Sequence, residues 1–502
     1  MTNNKLQKLD EPGLAFGYNQ TAFDPRDGLL LFGPFTRTKV TDINIGIIGT
    51  PLGIQTLIRW LKRIQEPVKS FDNDIARPFF PGFESTFEIA INFNAIKTIE
   101  VDRQQIDKFL KYTDGHIRIY NLVTLYSDEL IKYGREEEQP VQVWFIVIPD
   151  DVYTFGRPRS QVPVTDDIIR IGLKSWYSKT QPTFLKEIEE LQQAYLFEKH
   201  FHNQLKARLL KDKIITQVVR ESTIAYKEFT TRTGKPKRDL AKFESAIAWN
   251  LSTALYYKVG GLPWKLAKVR EGVCYVGLVY KRNETAKDEK TACCAAQMFL
   301  DSGDGLVFRG NIGPWYNPEN KQYHLSKESA YQLLDKALQT FYEKNNCQYP
   351  KELFIHAKTY FDDEEWSGFV EACNNKSKIL GIRIRDDRVF KLFRDYQYPI
   401  LRSMMYGCDD RMAFLFTRGF IPRLQTVLGL ETPNPLSAEI CRGNIDLRTV
   451  CQDILALTKL NYNTCVYGDG KPVTLRFADM IGEILTAGPA PEDEVLPFKH
   501  YI

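Results

Sequence analysis

His202 and Lys206 stand four residues apart in the run KHFHNQLKARLLKDKIITQ, residues 199–217, which reads as a basic helix followed by a short strand. Residues at that spacing share one helix face, so a ring and an ammonium group point the same way. Lys199, Lys213 and Arg220 add positive charge nearby, and Thr216 and Gln217 stand where the strand VVRES begins. A cation, a ring that can stack and an uncharged amide, held on rigid elements, suit the phosphorylated end of a nucleic acid. A solvated helix face rich in Lys and Arg has the same composition, so this run alone leaves both readings open.

Other residues invite chemistry less strongly. Asp150 and Asp151 follow the buried strand VQVWFIVIPDD, where α/β sheets place ligand loops, and read equally as solvated loop acids. Gly46, Gly49 and Gly53 miss the G-x-G-x-x-G spacing and have no acid placed for a ribose, so they read as strand-to-helix turn residues. No Cys or His cluster has metal-ligand spacing; the six histidines and nine cysteines are scattered, without a C-x-x-C pair. Scattered cysteines predict reduced thiols in a cytosol.

The elements that must position these groups follow from composition and periodicity. At 502 residues, 43% hydrophobic and 26% charged, the chain suits two or more soluble α/β domains. The net charge is only +4, yet residues 199–238 carry eleven Lys and Arg against three acids. Nucleic-acid binding would therefore be a local property. No apolar run approaches the length of a membrane span, and the N-terminus lacks a signal-peptide core; a cytoplasmic location is expected.

Residues 1–37 read as an extended N-terminal arm. Strands alternating with helices over 38–265 predict a Rossmann-like parallel sheet, with strands expected at RPFFPGFESTFEIAINF and at IRIYNLVTLY. The helix LAKFESAIAWNLSTALYYK is stopped by Gly260 and Gly261. Residues 266–502 predict three antiparallel strands (VCYVGLVYKR, TACCAAQMFL, GLVFRGNIG) and then alternating helices and strands, the order of an RNase H-like domain. NETAKDEK, residues 283–290, reads as a polar break between the first two strands, and Asp301 and Asp304 as turn formers. A two-metal nuclease of that fold needs carboxylates on its first strand, a later strand and its last helix. The first strand reads YVGLV and the later one FIHAK, both without an acid; Asp479 alone is suitably placed.

The motifs GGLPWKL, YVGLVYKR, LFIHAKTY and PVTLRFADMIGEIL resemble the PIWI half of Argonaute proteins. The His202/Lys206 helix, Thr216-Gln217 and YYKVGG resemble the MID half. The length resembles that of short prokaryotic Argonautes, which lack N-terminal and PAZ domains. The resemblance implies a guide 5′-phosphate site at His202, Lys206, Gln217 and Lys258, with Thr216 in support. It also implies a structural Mg²⁺ held by the carboxylate of Ile502. Singly, Lys258 reads as a cation at a helix C-terminus and Gln217 as a surface amide. The resemblance maps the nuclease positions to Val279, Lys358 and Asp479, two of them not acids, and so implies a chain that is not an enzyme.

The expectation is a guide-directed sensor. A guide RNA would pair with a single-stranded DNA target without cleavage. An APAZ-containing partner would supply a NAD-consuming effector in prokaryotic defence, TIR in preference to sirtuin-like, with higher-order assembly on activation. The alternatives are an active RNase H-like guide-dependent nuclease and an α/β small-molecule enzyme using the strand-end loops at 46–53 and 150–157.

Overall fold

The runs IGIIG and VWFIVI are apolar without alternation, the mark of strands covered on both faces, and they form the centre of a parallel sheet. A computed structural model describes residues 5–36, 42–136, 141–162, 167–173, 179, 186–231, 233–268, 270–282, 291–299, 305–428, 432–488 and 496–502; the side chains of 187, 293–299, 309–311, 428, 478 and 479 lie outside the description. The break at 283–290, Asp301 and Asp304 therefore fall outside the described residues, as does the side chain of Asp479.

The chain opens with β1 (Leu6–Lys8), β2 (Leu14–Ala15), β3 (Thr21–Ala22) and α1 (Pro25–Phe32). The expected extended arm thus contains a helix. Asp24 caps it by accepting from the Arg26 N–H, and Pro25 fills the first turn, where its missing N–H costs nothing.

The first large unit follows: β4 (Ile45–Gly49), α2 (Pro51–Arg63), β5 (Lys97–Glu100), α3 (Arg103–Leu110), α4 (Gly115–Glu136), β6 (Val143–Ile148), α5 (Phe201–Leu209), β7 (Thr216–Arg220) and α6 (Glu244–Lys258). Its strands lie in the order β5-β4-β6-β7, all parallel. Two strand expectations fail here. IRIYNLVTLY belongs to α4, because Ile119, Leu122, Val123, Tyr126 and Leu130 fall on one helix face and are all buried there. Within RPFFPGFESTFEIAINF, Phe83–Phe87 is a short helix, and the strand is only Ala90–Ile91.

The second half comprises β8 (Lys265–Leu266), β9 (Val273–Arg282), β10 (Ala292–Phe299), β11 (Gly305–Gly313), α7 (Lys327–Lys344), β12 (Glu352–Ala357), α8 (Asp363–Cys373), β13 (Lys378–Asp386), β14 (Met404–Gly407), β15 (Met412–Phe416), β16 (Leu436–Arg442), α9 (Leu447–Leu457), α10 (Val473–Thr486) and β17 (Leu496–Pro497). Ten strands make one sheet in the order β1-β14-β15-β16-β13-β12-β9-β10-β11-β17. β9, β10 and β11 form the expected antiparallel meander, while β12 and β13 run parallel to β9.

Alternation along β9 divides the packing. Cys274, Val276 and Leu278 face α7 and α8, whereas Val273, Tyr275 and Val279 join the core shared with α9 and α10. That second core also takes in Ile47 and Phe145 of the first sheet, Phe16 of the arm and Ile502. The two sheets are thus joined by continuous apolar packing, which holds α5, α6 and the last residues in fixed relation. No helix among the described residues is long and apolar enough to cross a membrane.

Candidate functional site

α5 begins after His200, whose Nδ1 accepts from the Asn203 N–H at 3.3 Å. Phe201, Leu205 and Leu209 anchor the helix in the core beneath α4. Lys206 is only 2% exposed, so the solvated-face reading of this helix fails at that position. Its Nζ donates to the Thr216 carbonyl at 2.8 Å and to the main-chain oxygen of Ile502 at 2.7 Å.

Lys258 closes α6 and is 1% exposed. Its Nζ donates to the same Thr216 carbonyl at 2.9 Å and to Gln217 Oε1 at 2.6 Å. Thr216 is placed by the register of β7 against β6, where it pairs with Trp144. Lys206, Thr216, Gln217, Lys258 and Ile502 therefore converge at the start of β7.

The electrostatics of this cluster are unusual. Burial pushes Lys206 down to about 7. Burial, and then the neighbouring Lys206 charge, hold Lys258 well below the usual lysine range. No carboxylate side chain pairs with either ammonium among the described residues. Burial and the Lys206 charge push His202 down to about 3, leaving its ring neutral at pH 7.

His202 also lines a cavity of about 420 Å³, together with Tyr153, Arg157, Arg220 and Arg238. Arg157 and Arg220 lie over the Tyr153 ring at 3.7 and 3.9 Å. The sequence reading missed Tyr153, Arg157 and Arg238 as partners of His202. Tyr153 lies in the short helix Asp150–Phe155, Arg157 just past its end and Arg238 on a distant segment, and only the fold brings them to His202. Asp150 does not project free into this cavity: its Oδ1 accepts from Arg220 Nε at 2.9 Å and from the Ser222 hydroxyl at 2.7 Å. Asp151 pairs with Arg103 at 2.8 Å. Arg208 turns inward as well, over Tyr120 at 4.1 Å and onto Thr124 Oγ1 at 2.7 Å, whereas Lys199, Lys211 and Lys213 are exposed.

A second cavity, about 470 Å³, opens where β9, β12 and β13 end. Val279 and Lys358 both line it, with Lys321, Tyr360, Arg383 and Arg385. Among the described residues the lining includes four cations and no acid. Arg383 is shared with Glu439 at 2.9 Å and lies 3.7 Å over the Tyr360 ring. Asp479 belongs to α10, one turn before Gly482, whose added Cβ would stand 2.9 Å from Val279 Cγ1.

Sequence comparison adds no assignment: no family model matches the chain, and no curated protein does. Solved structures do match. The chain is similar to Clostridium butyricum Argonaute bound to a guide DNA and a 19-mer target DNA, with a TM-score of 0.64 and 16% identity, over 99% of this chain and 55% of that one. It is similar to A. aeolicus Argonaute (TM-score 0.56, 13% identity, 98% and 54% covered) and to Drosophila Piwi (0.56, 10%, 99% and 56%). The fold is Argonaute-like, and the chain spans about half the length of the structures it matches.

Proposed function

We propose that this chain is a guide-directed nucleic-acid sensor. It holds a 5′-phosphorylated guide, recognises a complementary strand by base pairing and leaves that strand uncut. The observation that carries the reading is the pair of buried ammonium groups on one carbonyl oxygen, Lys206 and Lys258 on Thr216. Buried like charges without an acidic side chain are costly; a carboxylate at Ile502 would offset one of them, and a phosphate dianion supplies the remaining countercharge. In the arrangement described, Ile502 oxygen occupies part of the Lys206 donor set, so the phosphate shares or displaces that contact. The neutral His202 ring is suited to stacking on the first base, and Arg157, Arg220 and Arg238 to the phosphates around it.

The second cavity supports binding without cutting. Two catalytic divalent ions need several carboxylates, whereas this lining is cationic and has Val279 and Lys358 at two of the three positions that the resemblance maps to nuclease ligands. Oxygen donors at Ile502 and Gln217 fit the hard-ligand preference of Mg²⁺. A carboxylate at Ile502 would hold the ion, which offsets negative charge at the guide's end. The motif resemblance further supports an RNA guide and a single-stranded DNA target. It also supports an APAZ-containing partner whose TIR, in preference to sirtuin-like, domain consumes NAD after pairing promotes assembly.

The test is to extract and sequence the nucleic acid that copurifies with the chain, and to incubate the chain with guide, matched target and Mg²⁺ or Mn²⁺. Short 5′-phosphorylated RNA and an intact target are expected. Target cutting that is lost in Asp479→Ala, or a copurified nucleotide cofactor without nucleic acid, overturns the proposal.

A further inference from the structure

Apart from both cavities' cations, the described residues bring one imidazole and two carboxylates together. His324 follows a two-stranded hairpin and precedes α7, Asp362 is the N-cap of α8, and Glu365 lies in that helix's first turn. His324 Nδ1 is 3.6 Å from Asp362 Oδ2 and 3.9 Å from Glu365 Oε2. One ligand atom from each of the three lies within 4.8 Å of the other two.

These separations are too long for hydrogen bonds. They approach the spacing of ligands around one ion, since two donors each about 2.1 Å from a metal stand roughly 3.0–3.5 Å apart. Each group is also anchored through its other polar atom. Asp362 Oδ1 accepts from the Glu365 N–H at 2.7 Å. Glu365 Oε1 accepts from the Leu325 N–H at 3.2 Å and from the Tyr280 hydroxyl. His324 Nε2 lies 3.1 Å from Gln322 Oε1, an acceptor, so Nε2 carries a hydrogen and Nδ1 is the nitrogen left facing the carboxylates, of which Glu365 foremost raises the ring's pKa. That Nδ1 is buried and has no hydrogen-bond partner. Glu365 is 1% exposed, and among the described residues its only ion-pair neighbour is His324. Three atoms able to ligate a metal thus face one another, with outer contacts of the kind that orient metal ligands.

We infer that His324, Asp362 and Glu365 form a divalent-metal site for a borderline ion such as Zn²⁺ or Mn²⁺, which accepts an imidazole together with carboxylates. The ion ties the turn before α7 to the N-terminus of α8 and, through Tyr280, to β9. Tyr280 and Gln322 also line the second cavity, so the ion braces one of its walls. This site is separate from the cluster at Lys206 and independent of the proposed function.

The experiment titrates the metal-stripped full chain, without guide, with MnCl₂ and separately with ZnCl₂, by calorimetry and thermal unfolding. Wild type should bind one ion whose affinity falls about tenfold or more in His324→Ala and in Asp362→Asn. Asn retains a capping oxygen, so the second variant removes the ligand charge while α8 keeps its N-cap. Zn²⁺ should raise the wild-type unfolding temperature and leave both variants unmoved. Equal binding by wild type and variants, or no binding by wild type, overturns the assignment; in the latter case a proton on Nδ1 does the work of the ion.

Discussion

At Lys206 and Lys258 the protein keeps two ammonium groups out of water on a single carbonyl, and this has consequences in pH. Burial lowers the folded-state pKa of Lys206 to about 7, whereas the unfolded chain protonates lysine near its ordinary value. The unfolded state therefore holds more protons between those values, and this contribution to stability rises as pH rises from about 7 toward about 10. Lys258→Met should accordingly raise the urea midpoint of the free chain at pH 7, by about 1–3 kcal/mol in stability, while weakening guide binding. A bound phosphate dianion reverses the pKa shift, so complex formation should take up protons and weaken as pH climbs above 7. Calorimetry at pH 8, in two buffers of different ionisation enthalpy, measures that uptake; none is expected with a 5′-hydroxyl guide. The residue types of this site, and the four-residue spacing of His202 and Lys206, were legible in the sequence. Its burial was not, because a Lys/Arg-rich helix looks alike on either face. Nor could spacing show that Lys258 and Ile502, 41 residues beyond Gln217 and 296 beyond Lys206, close onto it.

At the scale of elements, β9 and α10 set how closely the second cavity can be built. A Cβ added at Gly277 would stand 2.2 Å from the Thr474 carbonyl oxygen, which is backbone and has no room to yield. Gly277→Ala should therefore cost about 1–3 kcal/mol through overpacking, read as a lower urea midpoint with the slope unchanged. The same helix contact holds His356, whose Nδ1 lies 2.9 Å from Thr474 Oγ1 and whose burial pushes it down to about 3. Strand runs that are apolar throughout, such as VWFIVI, or nearly so, such as LFIHA, were readable from sequence because few other elements bury every residue. The misreadings fell where β-branched and aromatic residues populate a helix, as in α4, and where prolines and glycine break a segment into short pieces, as before β5. Helical spacing wins there because α4 has the length to bury a full stripe against β6 and α5.

Across the whole molecule, the first residues act as a strap. β1 extends the ten-stranded sheet beside β14, β2 pairs with β8, and Arg26 Nη1 donates to the Ala76 carbonyl at 2.5 Å in the first half. Glu11 lies between two buried cations, Arg402 at 3.0 Å and Lys459 at 2.8 Å. Burial alone would raise its carboxyl, but the Arg402 and Lys459 charges together hold it below the ordinary value. Its stabilisation is thus present above the unfolded-state pKa and is lost as pH falls through the lower folded value. Glu11→Gln should cost about 3–5 kcal/mol by leaving Arg402 and Lys459 buried without their acid, seen as a large drop in the unfolding midpoint at pH 7.

The strap, the shared core and the closing contact of Ile502 all serve to hold α5 and α6 in register at Thr216. The claim that rests on this arrangement is that Lys206 and Lys258 read a 5′ phosphate. The direct measurement is the affinity of one guide sequence, with a 5′ phosphate and with a 5′ hydroxyl, for wild type, Lys206→Ala and Lys258→Ala. Wild type should favour the phosphate about tenfold or more, the scale of a charge-assisted hydrogen bond. Each variant should lose that preference and keep its 5′-hydroxyl affinity within about twofold. Equal losses for both guides, or an unchanged preference in the variants, would contradict the claim.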